Sequence, residues 1–132
     1  MKTNKTMYND YCEAMKMVEE YKYWDCIDNY KDMKRAEKLY DKYCDIACEL
    51  KEAMAKLPKS AKMTVFRFVE TDVDGFKIRE EMQLFVIGKK SQDDIVLFEC
   101  NGHIYTGETV KELGWKSYKK NGKVVYDDVY YK

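Results

Sequence analysis

The chain has 132 residues, 45% of them hydrophobic and 36% charged, a balance typical of one soluble folded domain rather than of a disordered chain. Its 24 basic and 24 acidic residues cancel, which argues against a strongly electrostatic nucleic-acid binder and against an acidic mimic of DNA. No apolar run reaches the roughly 18 residues of a membrane span, and no signal peptide is recognisable, so we expect a cytoplasmic protein whose five cysteines form no disulfide framework.

Residues 1–57 predict an antiparallel helical hairpin, because apolar residues recur at helical spacing on two segments that a short turn joins. The first helix is expected from Met7 to Tyr21, with Asn4 or Thr6 capping its start. Asp28-Asn29 is the expected turn.

The second helix carries the clearest pattern of the chain. Its heptad seam consists of Met33, Ala36, Tyr40, Tyr43, Ala47, Leu50, Met54 and Leu57. Leu39, Ile46 and Ala53 broaden this stripe on one side, and Asn29 resembles the N-cap. Pro58, the only proline, ends the helix.

Two tyrosines in this seam, Tyr40 and Tyr43, predict a wide interface. A buried phenol needs a hydrogen-bond partner, and leaving it unpaired costs about 1–3 kcal/mol. We therefore expect the hairpin to lie against the sheet, to assemble a homo-oligomer with a second copy, or both.

Residues 63–132 predict an antiparallel sheet of five or six strands, because apolar and polar residues alternate there. Asp74-Gly75, Asn101-Gly102 and Asn121-Gly122 mark tight turns between strands. A short helix is expected near 108–113. The fold class is α+β, and residues 1–132 are expected to form one domain.

Two groups of residues raise the possibility of a metal ion. The string from Glu70 to Glu81 resembles a calcium-binding EF-hand loop, but its flanks predict strands, and an Asp-Gly hairpin turn explains the same residues. In an antiparallel hairpin, Cys12, Cys44 and Cys48 fall at nearly one level, where packing is the commoner role of cysteine. We predict neither a metal nor a cofactor.

Catalysis has weaker support than binding. Cys100 and His103 face each other across a tight turn, but no oxyanion hole or activating helix accompanies them. A small hydrolase or nucleotide-processing enzyme, built from Asp72, Asp74, Glu80 or His103, remains the alternative hypothesis. We predict no catalytic residues.

The last predicted hairpin is the candidate contact surface, because it combines aromatic rings with cations. Its residues are Trp115, Lys116, Tyr118, Lys119, Lys120, Lys123 and Tyr126. Such a surface suits a protein partner or a nucleotide-like ligand, and it leaves modest nucleic-acid binding open. Lysines that only keep an edge strand soluble explain the same pattern.

The chain resembles small phage or mobile-element accessory proteins in its general character. It is short, carries lysine but only three arginines (Arg35, Arg67 and Arg79), is rich in tyrosine, and shows no evident catalytic constellation. Anti-CRISPR and other anti-defence inhibitors are the best-known members of that group. The resemblance implies action by occupancy in a host cytosol: blocking a protein, or sequestering a small nucleotide signal in an oligomer.

Overall fold

The computed structural model describes residues 2–118 and 124–125. The fold is α+β: a pair of helices is followed by an antiparallel sheet. The chain forms two compact units, Met1–Lys56 and Leu57–Lys132, so the change of periodicity next to Pro58 coincides with the boundary between them.

The first unit is a helical hairpin, as predicted. Helix α1 spans Asn4–Tyr21, a 3₁₀ turn follows at Trp24–Cys26, and α2 spans Tyr30–Ala55. Asn29 caps α2, because its side chain accepts a hydrogen bond from the backbone N–H of Asp32.

The cap of α1 was predicted wrongly. Thr3, rather than Asn4 or Thr6, is the N-cap, and its hydroxyl accepts from the backbone N–H of Thr6 at 3.1 Å. Asn4 is the first residue of the helix and is buried. None of the described helices is long and apolar enough to cross a membrane.

The predicted seam of the second helix lies on the inner face of α2. Every described seam residue of α2 is buried or half-buried, and Ala14, Ala36 and Ala47 are the buried alanines of the unit. The rings of Tyr21 and Tyr43 stack between the helices, with centroids 6.4 Å apart and planes 6° from parallel. Small residues therefore alternate with tyrosines along the pair. Whether the hairpin lies against the sheet or meets a second copy stays a prediction.

The body of the second unit is a four-stranded antiparallel sheet. Its strands are β1 (Ala61–Glu70), β2 (Lys77–Ile87), β3 (Leu97–Cys100) and β4 (His103–Thr106), in the order β4-β3-β2-β1. The predicted count of five or six is slightly larger, because the remaining segments, β5 (Lys116–Tyr118) and β6 (Val124–Val125), are only two or three residues long. Helix α3 (Gly107–Glu112) lies near the predicted 108–113.

Two of the predicted Asx-Gly turns connect strands of this body. Gly75, between β1 and β2, has a φ of 77°. Asn101 and Gly102, between β3 and β4, have φ values of 50° and 83°, and positive values at both central residues define a type I′ turn. The third predicted turn, Asn121-Gly122, lies outside the described residues.

The core of the second unit lies between one face of the sheet and α3. Buried residues of the strands, Val96 just before β3, Val110 of α3 and Trp115 form it. Partly buried side chains such as Met82 and Tyr105 pack against its margin. The buried cluster is Val65, Leu84, Val86, Val96, Phe98, Val110 and Trp115. On β2, Leu84 alternates with the more exposed Gln83 and Phe85. On β1 the adjacent residues Val65 and Phe66 are both buried, so both faces of that strand are covered at this point.

Candidate functional site

Trp115, the central aromatic residue of the predicted contact surface, is only 6% exposed. Its ring belongs to the core of the sheet unit, and the Arg67 guanidinium covers it at 4.4 Å from the ring centre. The same guanidinium donates to the Leu113 carbonyl at 2.9 Å and pairs with Glu80 at 3.5 Å. Most of the indole is therefore occupied by the protein itself.

The rest of that predicted surface is only partly described. Lys116 is exposed and lies beside Phe66 on β1. Tyr118 ends β5, and the structure describes its backbone. Lys119, Lys120, Lys123 and Tyr126 lie outside the described residues, so their part in partner binding stays a prediction.

The EF-hand-like string forms a hairpin, because strands flank it on both sides. Thr71 donates its backbone N–H to the Phe76 carbonyl at 3.1 Å and its hydroxyl to the same oxygen. Glu81 lies on β2, away from the turn, opposite Phe66 of β1. Within residues 2–118 and 124–125, no three His, Cys, Asp or Glu side chains are placed to hold a metal ion.

The cysteines of the helical hairpin lie close to tyrosines. Burial raises the pKa of Tyr11, and the charges of ionised Cys12 and Cys48 would raise it further, so both thiols neighbour this phenol. A hydrogen bond with Cys44 raises the pKa of Tyr40. The predicted proximity of Cys12 and Cys48 follows from the antiparallel pairing of the helices, and of the two, Cys48 is exposed.

Cys100 and His103 are directly paired across the β3–β4 turn, as the sequence predicts. Burial raises the pKa of the Cys100 thiol, and the nearby Glu99 carboxylate raises it further. Both effects lower the thiolate population near neutral pH, whereas a nucleophilic cysteine needs the thiolate. This environment therefore opposes a Cys–His nucleophile.

An apolar groove with a volume of about 860 Å³ lies between α1 and α2. Met17, Ile46 and Leu50 line it and are half-buried. Ala14 and Ala53 line it as well, and because their side chains end at Cβ they leave the space open. The groove-facing residues of α2 run from Tyr43 to Ala53, which is about 15 Å or three helical turns.

The rim of this groove carries both signs of charge. Three carboxylates and two amines line it: Asp10, Glu13, Glu49, Lys2 and Lys16. Lys2 and Asp10 pair with each other at 3.1 Å. A phosphate would thus meet more carboxylates than amines, which disfavours an anionic nucleotide and suits a partner with basic flanking residues.

The sequence pattern does not predict this groove, although four of its lining residues stand out in the pattern of α2: Tyr43 and Leu50 in the seam, and Ile46 and Ala53 beside it. Ile46 and Ala53 broaden the apolar stripe of α2 beyond the width that a narrow two-helix seam needs. This extra width is the feature of the sequence that could have indicated a groove. A two-helix pair needs only one stripe on each helix. The additional apolar residues line the groove together with the seam residues Tyr43 and Leu50.

The far half of the β1–β2 hairpin exposes a second apolar surface. We call residues 67–80 the β1–β2 arm, because β5 pairs with β1 only at Val65 and Phe66 and β3 pairs with β2 only from Phe85 to Ile87. Four large side chains of this arm are more than half exposed, namely Phe68 (59%), Val73 (64%), Phe76 (65%) and Ile78 (55%). Alternation alone could not reveal this exposure, since it gives the spacing of apolar residues and not what covers them.

Comparison with protein-family models, with curated proteins and with solved structures gave no match.

Proposed function

We propose that this chain is a non-catalytic binding protein that acts by occupancy, and that its partner is a protein presenting an amphipathic helix. The observation that carries this proposal is the apolar groove between α1 and α2. Helix recognition commonly uses such a groove, which accepts apolar anchors spaced at i, i+3 or i+4, and i+7.

The dimensions of the groove support a helix as its occupant. Its length of about 15 Å matches three helical turns, and it is flanked on both sides by helices against which a third can pack. The acidic excess on the rim favours lysine or arginine beside the apolar stripe of the partner. A sequestered nucleotide, the other ligand class considered from the sequence, has less support here because of the same carboxylates.

A steric block of the groove tests the proposal. Ala53 is exposed and lines the groove, so Ala53→Phe fills it without removing a seam residue. Glu52→Phe adds the same ring at the neighbouring exposed position, which lies about 100° around the helix and does not line the groove. Photo-crosslinking residues at positions 53 and 52 of the full chain identify the partner in a bacterial lysate.

We expect a crosslinked protein with the probe at 53 and not at 52, and at least tenfold weaker binding of that purified protein to Ala53→Phe than to Glu52→Phe. Equal binding to both variants would contradict the groove. Loss of binding in Lys119→Glu/Lys120→Glu alone would assign the partner to the C-terminal segment instead. A nucleotide released on denaturing the purified chain would favour sequestration.

Several finer points from the sequence belong to the same proposal. We infer that β5 and β6 extend the sheet to five or six strands, which the pairing of Ser117 with both Val65 and Val125 supports. A cytoplasmic location and a role as a phage-encoded inhibitor of a host defence protein rest on the general character of the chain. Modest nucleic-acid binding through the C-terminal segment is separable from protein binding, because it weakens steeply with added salt.

A further inference from the structure

The edge of β2 that faces away from β1 borders a groove, and it directs backbone N–H and C=O groups into that groove. β3 pairs with β2 only from Phe85 to Ile87, and this register places the last residue of β3, Cys100, beside Leu84. The chain then turns away at Asn101-Gly102. An open groove of about 500 Å³ follows this edge, lined by residues from both faces of β2, such as Glu80, Glu81 and Gln83, and by Cys100 and Asn101.

The direction of the backbone groups along this edge follows from the hairpin register. Thr71 donates its N–H to the Phe76 carbonyl, one step beyond the Glu70–Lys77 pair. In an antiparallel ladder the bonded positions alternate, so the even-numbered residues of β2 bond to β1 and the odd-numbered ones point the other way. Glu81 and Gln83 therefore direct their N–H and C=O groups into the groove, where no strand of the described residues meets them.

The stretch of β2 between the turn and the end of β3 comprises residues 77–83, and Glu80 is its midpoint. When this segment pairs with a second copy of itself running in the opposite direction, the side chains that face each other are complementary. A two-fold axis at Glu80 places Lys77 opposite Gln83, Ile78 opposite Met82, and Arg79 opposite Glu81. Each odd-numbered residue then faces an odd-numbered one, as hydrogen bonding between two such edges requires.

From this coincidence we propose that a second copy of this chain adds its β2 to this edge, antiparallel, with the two-fold axis at Glu80. The two sheets then join into one continuous sheet, a form of β-augmentation. Opposite charges directly across a strand pair are favourable, and two Arg79–Glu81 pairs form per dimer. Within one chain the same two side chains already pair at 3.0 Å, so the four charges alternate in sign around the axis. The groove beside Cys100 and Asn101 is the space into which the end of the partner strand fits.

Two further observations favour a second copy as the occupant. Ile78 is 55% exposed, and in the dimer the half-buried Met82 of the second copy would lie directly beside it. Because Met82 packs against the core of its own sheet, Ile78 would then extend that core across the dimer. The two Glu80 carboxylates that meet at the axis each have the Arg67 guanidinium as a counter-ion, 3.5 Å away within their own chain. An isologous contact of this kind closes on itself and gives a dimer rather than a fibre.

Charge reversal tests the register, with sedimentation equilibrium of the full chain as the readout. Arg79→Glu sets two carboxylates against each other in both cross-strand pairs, and Glu81→Arg sets two guanidinium groups against each other in both, so each variant weakens the dimer by about tenfold or more. The double variant Arg79→Glu/Glu81→Arg restores opposite charges in both pairs and restores the dimer. Lys62→Glu, an exposed charge change on β1 outside residues 77–83, leaves association unchanged. Circular dichroism confirms the fold of every variant.

A backbone variant tests the hydrogen bonds separately. Glu81→Pro removes an N–H that points away from β1, so the intrachain ladder is kept while pairing with the second copy is lost. A wild-type chain that sediments as a monomer at all concentrations overturns the proposal, and so does a folded double variant that stays monomeric. A dimer that survives all edge variants but dissociates with Tyr43→Asp would overturn it in favour of the helical hairpin. The edge variants lie outside the partner groove, so their outcomes do not bear on it, and Ala53→Phe tests it independently. Tyr43 lines that groove, so dissociation by Tyr43→Asp would bear on both proposals.

Discussion

Arg67 joins three parts of the sheet unit, and removing its guanidinium measures which of its contacts stabilises the fold. The side chain is 30% exposed and ion-pairs with Glu80, which is 41% exposed. An ion pair at that exposure contributes about 0–1 kcal/mol. The charged hydrogen bond to the Leu113 carbonyl contributes about 1.5–3 kcal/mol, and the contact with the Trp115 ring about 0.5–1 kcal/mol.

These contributions are not additive, and the Leu113 carbonyl, next to a side chain that is 45% exposed, regains some hydration when the arginine is lost. We therefore expect Arg67→Met, which keeps the aliphatic stem, to lower the free energy of unfolding of the sheet unit by about 2–3 kcal/mol. Glu80→Gln removes only the ion pair and should lower the same free energy by less than about 1 kcal/mol.

Urea denaturation followed by tryptophan fluorescence makes this comparison. The chain has two tryptophans, Trp24 in the helical unit and Trp115 in the sheet unit, so a Trp24→Phe background isolates the signal of the sheet. Equal losses for Arg67→Met and Glu80→Gln would show that the ion pair, and not the hydrogen bond and ring contact, stabilises this junction. That result would refute the reasoning.

Three further predictions concern local features of the fold. Asn29→Ala removes the cap of α2 and should lower the stability of the helical unit by about 1 kcal/mol, as measured by the far-ultraviolet circular dichroism melt, whereas Asp28→Ala should change it little. Gly102→Ala forces a Cβ into a φ of 83° and should cost about 1 kcal/mol in urea denaturation. Gly88→Ala, where the nearest atom to an added Cβ is 3.7 Å away, should be neutral or slightly stabilising, and the opposite order would contradict the turn assignment. Because burial and the Glu99 carboxylate raise the pKa of Cys100, and because its side chain is less exposed than that of Cys26, Cys100 should be alkylated more slowly than Cys26 at neutral pH. The rate at Cys100 should rise only above the pH at which an unperturbed thiol ionises, and peptide mass spectrometry gives the rates.

The helical and strand periodicities predicted the architecture because each describes a face that the fold buries. Met33 to Met54 repeat at helical spacing and lie on the inner face of α2, and Leu84 alternates with the more exposed Gln83 and Phe85 on β2. The Asn101-Gly102 turn was predictable for a different reason, since few residues other than asparagine and glycine tolerate positive φ. The cap of α1 was missed because Thr3, Asn4 and Thr6 are all acceptable caps, and only the observed hydrogen bond decides among them.

The contact surfaces were harder to predict, because a sequence pattern gives the character of a face and not what covers it. Trp115 and Phe76 are both aromatic residues near Lys or Arg in sequence, yet Trp115 lies beneath Arg67 and Phe76 is 65% exposed. The difference arises from what packs on each residue: Arg67 covers Trp115, whereas the described core cluster includes Val65 and Leu84 and no residue of the β1–β2 arm. β3 and β5 are also too short to pair with the far half of β1 and β2. Strand length depends on where turns fall in other parts of the chain. The exposure of the β1–β2 arm is thus a property of the whole sheet. The self-complementarity of residues 77–83 matters for dimerisation only because β3 leaves this edge of β2 unpaired.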